Sequence, residues 1–163
     1  KTELTIGKWY KHSEEAGLFY LTEITDSACH GYGFRKSGIW FSTSKNDRSA
    51  YCAVNNFHFK YLVEATDEEV ESALINEAKK RGYKEGVTIT WKNKPKLIYT
   101  LGDGEFDYLI SKNVLVFGNY GIFDGEQWAQ ILPQGKTVVS MAKALKIIAK
   151  KMKVSPENIE IQS

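Results

Sequence analysis

Cysteine, proline and histidine are scarce in this chain, at two, three and three residues among 163. Two cysteines, Cys29 and Cys52, are too few for a disulfide scaffold. One Cys29–Cys52 bridge is open to the chain, but no secretory pattern is read at the start, so free thiols are the favoured expectation and the protein is expected as cytoplasmic. Cys29, His30, Cys52 and His58 include no Cys-x₂-Cys pair, which argues against a structural zinc knuckle, and no metal or other cofactor is expected. No apolar run approaches the roughly 20 residues of a membrane span, so no membrane partner is expected. Neither sign of charge dominates: 22 basic against 20 acidic residues leave a net charge of +2. With 42% apolar and 26% charged residues the composition is globular and excludes a disordered chain.

What the chain has in excess is aromatic residues, 13% of the total, with nine Tyr, eight Phe and four Trp. A chain of this mass buries about two thirds of its unfolded surface, enough for a core without staples. The first half alternates in period two. Strands are expected over 4–10, 17–25, 32–35, 39–43 and 57–63, with Lys36-Ser37-Gly38 as a tight turn and 44–56 as a polar loop. A helix follows. Thr66 and Glu69 form a capping box, acids fill the first turn, and Lys79, Lys80 and Arg81 fill the last. Val70, Ala73, Leu74 and Ala78 make its apolar stripe, and Gly82 can end it in a left-handed conformation.

Strands resume over 87–91, 96–101, 105–110, 114–117 and 127–132, and Asp124-Gly125 predicts a type I′ hairpin turn. A last amphipathic helix is expected over 138–153, with Met141, Leu145, Ile148 and Met152 on one face. The fold class is therefore α+β: mostly antiparallel sheets, or one small open barrel, with a central and a C-terminal helix. Residues 1–163 are expected as one domain, with sub-lobes at 1–85 and 86–163. The stretch from Lys136 to Lys153 holds six lysines and no acid, so +6 sits there and the remainder is −4.

Three segments together resemble a family of small tailed-bacteriophage and prophage accessory proteins. They are Leu4-Thr5-Ile6-Gly7-Lys8-Trp9-Tyr10, the capped helix from Ala65 to Gly82 with Tyr83, Gly86 and Val87, and Gly121-Ile122-Phe123-Asp124-Gly125 with Trp128-Ala129. The resemblance spans most of 4–132 and implies a phage or prophage origin, in an infected or lysogenic bacterial host. It assigns no chemistry, and the tail after Pro133 lies outside it.

Chemical motifs fall short. Gly135-Lys136-Thr137 resembles the end of a phosphate loop, but Gln130 stands where that loop needs glycine and Pro133 disturbs its backbone. Asp103, Glu105 and Asp107 have calcium-loop spacing, yet Val114 occupies the position of the bidentate acid. A thiol nucleophile would pair Cys52 with His58, or Cys29 with His12 or His30, and needs a base in contact. Binding is the favoured reading, as a host-takeover protein whose partner is a host protein or a nucleic acid; the alternatives are a small Cys52–His58 enzyme and a pocket sequestering a nucleotide-like ligand. The candidate binding residues are the co-facial Lys143, Lys146, Lys150 and Lys153 and the aromatic Trp9, Tyr10 and Trp40. The aromatic rings are read first as core filling and second as a stacking platform. Oligomeric state is left open.

Overall fold

The structure, a computed structural model, describes residues 3–12, 15–26, 28–43, 52–53 and 61–134. Among these the fold is α+β, with three antiparallel sheets around one helix. The first sheet is built from β1 (Trp9–His12), β2 (Glu15–Ile24), β3 (Ala28–Phe34), β4 (Trp40–Ser42) and β6 (Leu62–Glu64), in the order β4-β3-β2-β1-β6. The two-residue β5 (Cys52–Ala53) pairs with the start of β3. Helix α1 (Asp67–Arg81) follows. Strands β7 (Thr88–Trp91), β8 (Lys94–Thr100) and β12 (Gln130–Ile131) form a second sheet, ordered β12-β7-β8. The third sheet, β11-β10-β9, comprises β9 (Phe106–Leu109), β10 (Val114–Phe117) and β11 (Tyr120–Phe123).

The period-two alternation of the first sheet fills both of its faces. Successive side chains point to opposite sides of a strand, so Trp9 and Tyr10 must diverge. Trp9, Tyr32 and Phe34 join one buried cluster, with Leu18, Tyr20 and Trp40 packed against it. Tyr10, Phe19, Leu21, Cys29 and Phe41 join another, with Leu62. The second face depends on two glycines of β3. A Cβ on Gly31 would fall 2.8 Å from the Phe19 ring and 1.8 Å from the Tyr20 carbonyl oxygen. One on Gly33 would fall 2.0 Å from the Leu18 carbonyl oxygen. Their bare backbone lets Phe19 and Phe41 stack over the sheet at 6.1 Å and 10°. Each such ring pair adds about 0.5–1.5 kcal/mol beyond its buried area.

The first cluster ties the sheet to the rest of the chain. Trp40 meets Phe123 and Trp128 edge-on at 5.5 and 5.6 Å. Val70, Leu74 and Ala78 of α1 enter the same cluster, as do Ile89, Leu101, Leu115 and Ile122. It therefore draws on both sides of the 85/86 boundary. Helix α1 is capped as its sequence dictates: Glu69 N–H donates to Thr66 Oγ1 and Thr66 N–H donates to Glu69 Oε2. At its end Gly82 adopts φ 96°, Tyr83 N–H donates to the Ala78 carbonyl, and Gly82 N–H donates to the Lys79 carbonyl. These bonds satisfy two carbonyls the helix leaves open.

Several local expectations change. The strand expected over 4–10 begins only at Trp9 and runs on to His12, after a turn at Ile6-Gly7, and the one expected over 32–35 starts at Ala28 and ends at Phe34. The Asp124-Gly125 turn is not type I′, because that turn needs φ > 0 at both central residues and, among the described non-glycine residues, Asn113 alone has it. Instead Asp124 Oδ1 accepts from Glu126 N–H and Gln127 N–H, which closes a wider turn before the Phe123–Trp128 bridge. The expected strand at 105–110 stops at Leu109 and becomes a single 3₁₀ turn, Ile110–Lys112. The strand expected at 127–132 shortens to Gln130–Ile131. The expected helix over 138–153, the Gly135-Lys136-Thr137 segment and most of the 44–60 region lie outside the described residues.

Candidate functional site

Asn113 is the polar centre of the molecule. It follows the 3₁₀ turn with φ 51° and ψ 47°, a left-handed conformation that asparagine enters more readily than most residues. Gly125 lies against its backbone; a Cβ there would come within 2.9 Å of the Asn113 carbonyl oxygen. The side chain is buried and makes three hydrogen bonds. Its Oδ1 accepts from Trp9 Nε1 at 3.0 Å and from the Tyr108 hydroxyl at 2.6 Å, and its Nδ2 donates to the Tyr32 hydroxyl at 2.7 Å. Burial pushes Tyr108 up to about 12 from the ordinary tyrosine value near 10, and pushes Tyr32 higher still. Both phenols are therefore neutral hydroxyls near neutral pH, so neither brings a buried charge to the network.

A cavity of about 280 Å³ opens beside this hub, between β1, the start of α1 and the 3₁₀ turn. Trp9, Tyr20 and Tyr108 wall it, and Lys8, Glu64, Asp67, Ser111 and Lys112 supply its polar groups. Lys8 is already engaged: its Nζ donates to both Glu64 oxygens, at 2.8 and 2.9 Å. That bond holds the Lys8 ammonium above the ordinary lysine value. Nearby, Lys11 pairs with Glu69, joining β1 to α1 and holding the Glu69 carboxyl below the usual carboxylate range. A second, more open hollow of about 350 Å³ shares Tyr20, Lys112 and Asn113 and continues to Thr22, Asp124 and Glu126.

The residues singled out in the sequence fall elsewhere. Trp9 and Tyr10 are 7% and 2% exposed and lie on opposite faces of the first sheet. Trp40 is half-buried among Tyr32, Phe34, Phe123 and Trp128. The rings of Trp9 and Tyr10 thus fill the interior on opposite faces and do not form a shared stacking platform. Lys143, Lys146, Lys150, Lys153 and His58 lie outside the described residues. Cys29 and His30 are both buried, and as neighbours on β3 they point to opposite faces, so they do not form a thiol–imidazole pair. The β3–β5 register sets Cys52 opposite Cys29. Among the described residues, no three His, Cys, Asp or Glu side chains are grouped to hold a metal, and no helix is long and apolar enough to cross a membrane.

A basic hairpin escapes the sequence reading. Strands β7 and β8 are joined through Lys92-Asn93, and Lys92, Lys94 and Lys96 are all exposed at its tip. No acid occurs between Gly86 and Gly102, and none of the three lysines pairs with a carboxylate among the described residues. Leu97 and Ile98, 45% and 57% exposed, continue the same strand. The signal was present as Lys-Asn-Lys-Pro-Lys, but it reads equally as an ordinary turn. The cavity had no such signal, since Trp9 and Asn113 are 104 positions apart. Comparison with family models, curated proteins and solved structures returns no match.

Proposed function

We propose that this protein acts by binding rather than by catalysis, and that its partner is a nucleic acid met at the phosphate backbone by the β7–β8 hairpin. The observation that carries the reading is the tip itself: three exposed lysines at the end of the β7–β8 hairpin, beyond the Thr90 where β12 stops pairing with β7, and unpaired among the described residues. A two-stranded ribbon fits the roughly 12 Å major groove of duplex DNA, and lysines along it can displace counterions from successive phosphates. The lysines of 136–153 belong to the same reading as a second cationic segment. A phage or prophage accessory protein that meets host nucleic acid is the biological setting we assign to it.

A host-protein partner is the second reading, favoured by exposed Leu97 and Ile98 on the same strand. Strand-to-strand addition at that edge is disfavoured by Pro95, by the flanking lysines and by the register shift after Thr90. The test is fluorescence anisotropy with labelled duplex and single-stranded DNA across a salt series. Binding should weaken linearly in log–log form, each duplex phosphate contact adding about −0.9 to the slope. Replacing Lys92, Lys94 and Lys96 together by Gln should weaken binding and flatten the slope by as many contacts as are lost. Unchanged affinity and slope in that variant, with loss on Lys143, Lys146, Lys150 and Lys153 to Gln instead, would move the site off the hairpin. No DNA or RNA binding, with a host protein retained after nuclease treatment, would favour the second reading. Cys52→Ser and His58→Ala should leave binding intact; loss of function in both without loss of folding would restore the enzyme alternative.

A further inference from the structure

The walls of the 280 Å³ cavity divide into groups already satisfied and groups left over. Trp9 Nε1 and the Tyr108 hydroxyl both donate to Asn113, so neither has a free donor for the space. Lys8 and Glu64 neutralise each other. The side chains of Asp67, Ser111, Lys112 and the Tyr20 hydroxyl have no hydrogen bond or ion pair among the described residues. The uncommitted charges of the lining are thus one carboxylate and one ammonium, beside an aromatic wall. The volume lies at the bottom of the roughly 300–1,000 Å³ range of ligand clefts, so the occupant is compact. Net neutrality disfavours a nucleotide, whose phosphates would meet Asp67 and the Glu64 carboxylate as well as the lysines.

We infer that this cavity is a binding site for a small zwitterion of the amino-acid class. Its ammonium meets Asp67, its carboxylate meets Lys112, and its side chain lies against the Tyr20 and Trp9 rings. Asp67 opens helix α1 and Lys112 closes the 3₁₀ turn, so the ligand bridges two elements, with the Asn113 hub fixing one wall between them. The site is separate from the basic hairpin and stands or falls independently of the nucleic-acid reading.

The test is thermal shift and saturation-transfer NMR on the full chain with the free protein amino acids at millimolar concentration. Acetate and ethylammonium, which carry one charge each, serve as comparison probes. At least one amino acid should raise Tm in a concentration-dependent way and receive saturation from aromatic protons, while the single-charge probes do neither. Asp67→Asn and Lys112→Gln should each weaken that binding by about tenfold or more, and Lys84→Gln, at an exposed position outside the cavity lining, should leave it unchanged. Absence of binding by every amino acid would overturn the proposal. So would equal binding by acetate or ethylammonium, or an affinity within about twofold of the parent in either cavity variant. Because Asp67 and Lys112 are both exposed, their variants should fold, and the ligand-free Tm of each reports whether they do.

Discussion

At the scale of single residues, Asn113 has no adequate substitute. It satisfies two donors and one hydroxyl that arrive from β1, β3 and β9, and it does so from a left-handed backbone. Asn113→Ala keeps the volume small but leaves Trp9 Nε1, the Tyr108 hydroxyl and the Tyr32 hydroxyl without their partner. A buried polar group left unpaired costs about 1–3 kcal/mol, so the variant should lose at least about 3 kcal/mol in urea unfolding. A loss under about 1 kcal/mol would mean that water replaces the amide freely. Asn113→Asp should also destabilise, because the new carboxylate carries charge into a buried site with no cation bonded to it. Asn113→Gly isolates the backbone contribution: it keeps the left-handed conformation accessible while removing the same three bonds.

At the scale of elements, α1 is the part of the fold most fully written in local sequence. Its capping box, acidic first turn, basic last turn and glycine stop all lie within a few residues of what they act on, and each is realised. Leu74 is completely buried in the main cluster, so Leu74→Ala should cost about 2–5 kcal/mol by chemical denaturation, through lost burial and a cavity. Thr66→Ala removes only the cap, and about 1 kcal/mol is the expected loss. The strands were legible as patterns but less so at their ends, because register and bulges are set by partners remote in sequence. Leu109 reads as strand continuing to Ile110, yet the chain must turn there to bring Asn113 back under Trp9. The alternating rings of β1 to β4 announced strands; they did not announce that both faces of the sheet are buried, or that Gly31 and Gly33 would open the second face to Phe19 and Phe41. The cavity was not legible, since its walls come from β1, β2, α1 and the 3₁₀ turn, and only the tertiary fold assembles them.

At the scale of the whole molecule, the buried tyrosines couple stability to alkaline pH. Burial raises Tyr83 and Tyr108 to about 12, and Tyr83 also donates to the Ala129 carbonyl. In the unfolded chain these phenols ionise near 10, so above that value the unfolded state binds fewer protons than the folded one. The contribution of Tyr83 and Tyr108 should be fully present below about pH 10 and fall as pH rises to about 12, and Tyr32, pushed higher still, extends the fall beyond. Urea midpoints measured along that range, with tyrosinate absorbance read in parallel, should move together. A flat profile would mean that the phenols are solvated. The rings also set a timetable for synthesis. Trp9, Tyr32 and Phe34 leave the ribosome long before the Leu115, Ile122 and Phe123 that share their cluster. At about 5–20 residues per second, Trp9 waits roughly 5–20 s for Asn113 to be made. Closing so long a loop is slow as well, since its entropy must be lost before the distant contacts form. During that interval one face of the newborn sheet is an uncovered aromatic surface, which makes the half-made chain a natural client for chaperones and the stage at which aggregation competes most strongly with folding.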